Sequence, residues 1–471
     1  MVVRMANNYD AIVIGAGQAG PTLASKLAGS GMKVAFVERY KFGGTCVNTG
    51  CTPTKAMVAS AYAAHLARRG GEYGVNIAGE IRVDMKKVKA RKDAIVASSA
   101  KGVESGLRGN PNITVCGGHA RFESANEVSV GADRLTAPKI FINVGGRALV
   151  PDMPGIEQIS YLTNSSMMDV DFLPRHLVIV GGGYIGLEFG QMFRRFGSEV
   201  TIVEMAPRLI KREDVDISEA VRQIMENEGV QVRLNATCIA FRKEGDDIAV
   251  GVDCEQGSPE EIGSHVLLAV GRRPNTDDLG LEKAGIATDK HGYITVDDQL
   301  RTSVPGIWAL GDCNGKGAFT HTSYNDHEIV AANLLDNDSR RVSDRIATYG
   351  LFIDPPLGRA GMTEAETISS GRSVLVGKRP MTRVSRAIEK GETQGFMKIM
   401  VDAETKKILG AAVLGPGGDE AIHSVLDVMY AKGSYSVIQR AVHIHPTVAE
   451  LIPTILGELK PLEQPAITGA A

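Results

Sequence analysis

One unit of sequence occurs twice in this chain, and nothing else in it constrains the fold as strongly. Residues 10–14, Asp-Ala-Ile-Val-Ile, read as a short buried strand. Gly15-Ala16-Gly17-Gln18-Ala19-Gly20 follows, then a helix over about 21–29 and a strand over 33–37 ending at Glu38. The same order recurs as a strand at 176–180, Gly181-Gly182-Gly183-Tyr184-Ile185-Gly186, a helix at 187–196 and a strand at 200–203 ending at Glu204. The copies are 166 residues apart by either landmark (181 − 15 and 204 − 38), and each acid stands 18 residues after its third glycine. Strand, Gly-x-Gly-x-x-Gly turn, helix, strand and acid form the dinucleotide-binding fingerprint. The first glycine makes the turn, the second admits a pyrophosphate, and the third lets helix and strand pack closely. Two matches predict two dinucleotide sites and an α/β chain with two Rossmann-like dinucleotide-binding domains.

A second feature lies between them. Cys46 and Cys51 stand either side of Val47-Asn48-Thr49-Gly50, after Gly43-Gly44-Thr45 and before Thr52-Pro53-Thr54-Lys55. Pro53 suits the first turn of a helix, and 56–69 reads helical. Both sulfurs are then expected at a positive helix end, where thiolate is favoured over thiol. Gly50 lets the loop fold back so that two sulfurs meet, the arrangement disulfide exchange requires. Two buried structural cysteines, or half of a metal site, are the competing readings; no second cysteine pair follows to complete the latter.

The rest of the chain adds isolated signals. Residues 139–146 read as an apolar strand running toward Pro151 and Pro154, and 265–271 repeats that pattern before Arg272-Arg273-Pro274-Asn275. Gly306 to Asp312 is a strand ending in Gly-Asp, with Thr320 and His321 beyond it. After about residue 343 the pattern changes to alternating runs at 374–376 and 396–401, a loop at 415–418 and a helix at 421–430, as in an antiparallel sheet with a covering helix. In His443-Ile444-His445-Pro446-Thr447-Val448-Ala449-Glu450, Pro446 is expected to start a helix with Glu450 on its second turn. His443 and His445 share a face if extended, so a metal pair and a structural histidine stay open beside an acid–base role. The tail beyond Leu462 reads as loose.

Gly43 to Lys55 resembles the redox-active segment of the flavin-dependent pyridine nucleotide–disulfide oxidoreductases, which include dihydrolipoamide dehydrogenase, glutathione reductase and mercuric reductase. His445-Pro446-Thr447 with Glu450 resembles that family's histidine signature, and the likeness spans nearly the whole chain. It implies FAD at the first turn and NAD at the second, with a C-terminal α+β dimerisation domain and a homodimer. The chain would divide into 1–150 and 271–342 for FAD, 151–270 for NAD(P), and 343–471 for the interface. At the FAD site the resemblance places Gly15, Gly17, Gly20, Glu38, Gly44, Thr45, Lys55, Asp312 and Thr320. At the NAD site it places Gly181, Gly183, Tyr184, Gly186, Glu204 and Gly271. Cys51 would face the flavin and Cys46 would attack the acceptor. Lys55 and Glu188 would form an ion pair near the reactive flavin nitrogen; by themselves both read as solvated helix charges. His445 would supply acid–base chemistry from the other subunit, with Glu450 orienting its ring. Tyr184 would cover the nicotinamide pocket or simply pack, and Asp312, otherwise a turn former, would bond the flavin ribitol. Asn143-Val144-Gly145 departs from the family's usual Ala-Thr-Gly.

The implied electron path runs from NADH through FAD and the Cys46–Cys51 disulfide to a disulfide or other thiol-reactive acceptor, as in dihydrolipoamide dehydrogenase. A mercuric reductase, a flavin diaphorase reducing quinones, and a subunit docked in a multienzyme complex are the alternatives. The customary mark of each named activity is missing: no cysteine follows residue 451 as in mercuric reductases, and Ser25-Lys26 stand where glutathione reductases carry an arginine. Glu204 favours NADH, because a carboxylate accepts the ribose 2′-hydroxyl and repels a 2′-phosphate; Arg208, Lys211 and Arg212 lie nearby. The 52 cationic and 55 acidic side chains, net −3, make no case for nucleic acid or an anionic membrane. Six cysteines do not form a disulfide framework. With no signal segment or long apolar run, a cytoplasmic, non-membrane protein is expected.

Overall fold

A computed structural model describes residues 7–253 and 259–462; the tail expected to be loose lies outside them. Both glycine-turn units form parallel sheets, as runs of β-branched residues buried on two faces require. The first sheet orders its five strands Ile307–Ala309, Ile140–Ile142, Ala11–Ile14, Val34–Glu38 and Ile113–Gly117. The second orders four as Gln231–Arg233, Glu199–Val203, His176–Val180 and His265–Leu268. Pairing within the two units has the same offset: Ala11 faces Val34 and His176 faces Glu199, 23 residues in each case (34 − 11 and 199 − 176).

The strand at Ile307–Ala309 returns to the first sheet after the whole second unit has been made. The outgoing and returning chain run side by side, with Gly146–Ala148 antiparallel to Arg272–Pro274. The strands expected over 139–146 and 265–271 are shorter than that reading. The first stops at Ile142, before Gly145 turns at φ 65°, and the second at Leu268, before Gly271 turns at φ 130°.

The C-terminal region is a six-stranded antiparallel sheet with central strands Leu357–Gly361, Ile408–Leu414, Phe396–Asp402 and Val374–Pro380. The helix Gly418–Tyr430 packs on it through Ile422, Val425 and Leu426. The α/β class with two Rossmann-like domains and a distinct C-terminal α+β domain is the one expected. No described helix is long and apolar enough to cross a membrane.

The helix expected at Pro446 does not form. The Arg386 guanidinium donates to the Pro446 carbonyl at 2.8 and 3.2 Å, and a short 3-10 turn begins only at Ala449. That carbonyl is therefore committed to a side chain instead of a helical N–H.

Candidate active site

The two glycine turns are alike in atomic detail. In the first, the Ala16 and Tyr40 N–H groups both donate to Glu38, at 2.7 Å each. In the second, the Gly182 and Ala206 N–H groups donate to Glu204, at 2.6 and 2.7 Å. A Cβ on Gly20 would lie 2.2 Å from the Gly15 carbonyl, and one on Gly186 would lie 2.1 Å from that of Gly181. The close helix–strand packing assigned to the third glycine is thus a steric demand in both copies. The helices that follow, Ala19–Gly29 and Tyr184–Phe196, have no acid in their first turn and no side-chain cap. Neither N-terminus is taken by a side chain, so the positive end of each helix can face an anion, although in the first the Gly20 N–H closes on the Gly17 carbonyl at 3.1 Å and Pro21 has no N–H.

The cysteine segment folds tightly against the first turn. Gly44 starts a five-residue helix, Gly44–Asn48, and a Cβ on it would come within 2.7 Å of the Gly17 Cα. Cys46 lies in the middle of that short helix, not at a helix start as expected. The long helix begins at Cys51 itself, earlier than the proline predicts, because the Thr54 N–H closes on the Gly50 carbonyl at 3.0 Å. Gly50 answers a close approach, since a Cβ there would stand 2.9 Å from the Thr45 carbonyl.

Cys46 and Cys51 are unbridged. Hydrogen bonding from Cys46, aided by Thr320 and Lys55, lowers the Cys51 thiol to about 6 against the push of burial. Cys46 is raised by hydrogen bonding with Cys51, by burial and by the Cys51 charge. Thr320, first residue of the helix Thr320–Leu335, stands 3.3 Å from the Cys51 sulfur across 269 residues of sequence.

Lys55 and Glu188, read in isolation as solvated charges, form an ion pair at 2.7 Å with the Glu188 side chain only 7% exposed. Glu188 also accepts the Phe352 N–H at 3.1 Å, and the Lys55 ammonium lies over the Phe352 ring. Tyr184 packs on Phe319, ring centroids 5.5 Å apart. Burial pushes the Asp312 carboxyl up, opposed by the Arg272 guanidinium 3.5 Å away. Thr45 is at the same distance from that guanidinium, 3.5 Å.

His445 lies apart from the cysteines on the C-terminal region. Its Nδ1 meets both Glu450 oxygens, at 2.9 and 3.0 Å, and its side chain is 75% exposed. Val442 and Ile444 beside it are exposed too.

Three groups escaped the sequence reading. Arg272 reaches Thr45, Asp312 and the Gly146 carbonyl, the last at 2.6 Å. Asp326 holds the Gly311–Asn314 turn through the Gly311 N–H at 2.6 Å and the Asn314 amide at 2.9 Å. Asn143 fills the departure from the usual strand end and donates to the Gly15 carbonyl at 3.2 Å. Arg272 and Asn143 sit in stretches visible in the sequence, which gives neither a role; Asp326 has no local signal.

Two dinucleotide turns around a dithiol define an α/β redox enzyme. Residues 9–326 match the pyridine nucleotide-disulphide oxidoreductase model and residues 348–455 its dimerisation domain, and the chain belongs to that family. It is 36% identical over 462 residues to the probable pyridine nucleotide-disulfide oxidoreductase RclA of Escherichia coli, covering 96% of this chain and 100% of that one. It is 33% identical over 445 residues to the dihydrolipoyl dehydrogenase of Thermus scotoductus, covering 94% and 95%. The solved Cu(II) complex of the HOCl-induced flavoprotein disulfide reductase RclA from Escherichia coli superposes with a TM-score of 0.88 at 34% identity, covering 96% and 100%.

The chain is accordingly an FAD- and NAD-dependent disulfide oxidoreductase of the class I type, with a dimerisation domain for pairing two copies. The residues present fit both cofactors. Each turn offers an uncapped helix N-terminus for a pyrophosphate and a carboxylate at its strand end for a ribose.

Proposed function

We propose that this enzyme passes electrons from NADH through FAD and the Cys46–Cys51 pair to a disulfide or other thiol-reactive acceptor, with small lipoamide-type disulfides as the leading class. The division at about residues 150, 270 and 342 belongs to this reading. FAD would rest on Gly15, Gly17, Gly20 and Glu38, with Gly44, Thr45, Lys55, Asp312 and Thr320 around its reactive end. The nicotinamide dinucleotide would take Gly181, Gly183, Gly186, Glu204 and Gly271, beneath Tyr184. Bound FAD supplies the relay of an electron pair between the nicotinamide and the dithiol.

The observation that carries the reading is the placement of the two sulfurs: Cys51 starts the long helix and lies 3.3 Å from the Thr320 hydroxyl, with Cys46 and the Lys55–Glu188 pair beside it. Cys46, Thr320 and Lys55 lower the Cys51 thiol, while the bond with Cys51 and burial raise that of Cys46. Cys46 therefore needs a base before it can attack. His445 of the partner subunit, oriented by Glu450, takes that proton as the Cys46 sulfur bonds to one sulfur of the acceptor disulfide. The acceptor S–S bond breaks, and the same proton goes to the leaving thiolate. Cys51 then attacks the Cys46 sulfur, re-forming the internal disulfide and releasing the second product thiolate. Two electrons have moved from the dithiol to the acceptor. Lys55 and Glu188 keep a fixed charge pair beside the Cys51 thiolate.

A metal ion is the second reading, supported by the Cu(II) complex of the RclA relative. One panel separates the two: lipoamide, glutathione disulfide, Hg(II), Cu(II) and a quinone, each under NADH. Turnover highest with lipoamide and lost in the Cys46→Ser/Cys51→Ser double variant supports the disulfide reading. Turnover highest with a metal ion supports the second. A quinone rate untouched by the double variant would overturn both.

A further inference from the structure

The mechanism does not use a buried charge cluster that joins the C-terminal sheet to the second glycine-turn unit. Arg359 and Lys398, on two strands of the C-terminal sheet, are 1% and 2% exposed. Both reach residues that end the loop after Glu204. Arg359 bonds Glu213 and lies 2.6 Å from Asp214. The Lys398 ammonium lies 2.7 Å from Asp214 and 2.8 Å from both Asp216 and Glu364. Those three carboxylates converge within 4.8 Å of one another, as in a metal site, but the ammonium already occupies their centre. Buried charges of this kind hold together only as a complete set, since losing one partner strands the others out of water.

The cluster is coupled to the second glycine turn along two routes. On one side, Glu213 closes a tight turn onto the Ile210 carbonyl at 2.7 Å, and the Ile210 N–H bonds the Gly182 carbonyl at 3.0 Å. Leu209, fully buried, lies so near Gly182 that a Cβ there would come within 2.5 Å of it. On the other side, the Tyr349 hydroxyl donates to Glu213. The Tyr349 ring is parallel to that of Phe319, centroids 5.8 Å apart, and Phe319 in turn packs on Tyr184.

We propose that Tyr349, Arg359 and Lys398 are positioning residues of the C-terminal domain for the pyridine nucleotide. They fix the 205–214 loop over the glycine turn and, through Phe319, the ring of Tyr184. The inference rests on the assignment of NADH to the Gly181–Gly186 turn. It makes nucleotide affinity depend on side chains of the C-terminal domain.

The test uses the FAD-loaded dimer. Tyr349→Phe removes one oxygen and no charge; Lys398→Met removes the central cation. Equilibrium titration with NADH should show Kd raised by about fivefold in Tyr349→Phe, the worth of one hydrogen bond, and by about tenfold or more in Lys398→Met. KM for NADH should rise in parallel while kcat stays within about twofold and KM for the acceptor does not move, which a general loss of structure would not produce. Lys211 and Arg212 are exposed on the loop. Trypsin should cut there faster in both variants, and saturating NADH should suppress the cut in the parent. If NADH gives the parent no protection, the site assignment fails and the inference with it. If the parent is protected but both variants bind NADH as the parent does, the assignment stands and the positioning role is refuted. Where Lys398→Met does not accumulate as folded protein, Tyr349→Phe decides alone.

Discussion

The state of Cys51 is the most exposed point of the proposed chemistry. Its thiol, ordinarily at 9.0, is brought down to about 6, first by the hydrogen bond from Cys46 and then by Thr320 and Lys55, against the upward push of burial. At pH 7 a group at 6 is ~90% ionised and one at 9 only ~1%. Cys46→Ser keeps a hydroxyl donor at that place, whereas Cys46→Ala removes it. A hydrogen bond to a charged group contributes about 1.5–3 kcal/mol, or one to two pKa units. The low end of that range, about one unit, is the expected difference between the variants. The assay is the pH dependence of iodoacetamide alkylation, which reports the thiolate directly. The rate for Cys46→Ser should rise through about pH 6 and level off above it, because the ionised form is complete there. Cys46→Ala should rise about one unit later. A long-wavelength charge-transfer absorbance in FAD-loaded Cys46→Ser should follow the same titration and be missing from Cys51→Ser. Alkylation of Cys46→Ser that titrates near 9 would refute the thiolate, and with it the order of attack.

The other expectations follow from single contacts. Glu204→Arg should shift the ratio of kcat/KM toward NADPH by removing a carboxylate that repels a 2′-phosphate; a parent enzyme that already prefers NADPH would contradict this. Mixed dimers of inactive Cys46→Ser and His445→Ala subunits should recover part of the activity, since one of the two sites then carries an intact dithiol and an intact histidine. No recovery in verified heterodimers would place both in one chain. Lys55→Met leaves the Glu188 carboxylate buried without its cation, and urea unfolding should show a loss of about 3 kcal/mol, the low end for a pair whose lysine is partly exposed. A loss below about 0.5 kcal/mol, the scale of an exposed pair, would make the pair a surface contact.

The two dinucleotide units were legible because their determinants are local. A glycine that a Cβ would drive into the carbonyl of Gly15 or Gly181, and an acid taking the turn's own N–H groups, are contacts within about two dozen residues. Such demands leave a pattern in the order of residues. One local reading failed where a distant group took over a backbone atom: proline at 446 signals a helix start, but Arg386, 60 residues away, holds its carbonyl. The helix at Cys51 keeps Pro53 in its first turn as expected and starts ahead of it through the local contact of Gly50 with Thr54.

Residue order alone is enough to specify two α/β dinucleotide units around a cysteine pair and a different kind of sheet at the C-terminal side. What those parts touch is settled by their packing. Cys51 meets Thr320 across 269 residues, Lys55 meets Glu188 across 133, and Tyr349 reaches Glu213 across 136. No periodicity encodes such pairs, because each is set by how separately formed sheets and helices pack. The ionisation of Cys51 and the setting of the nucleotide loop depend on those long-range neighbours, since a charge responds to whatever lies within a few ångströms of it, wherever in the chain that group began.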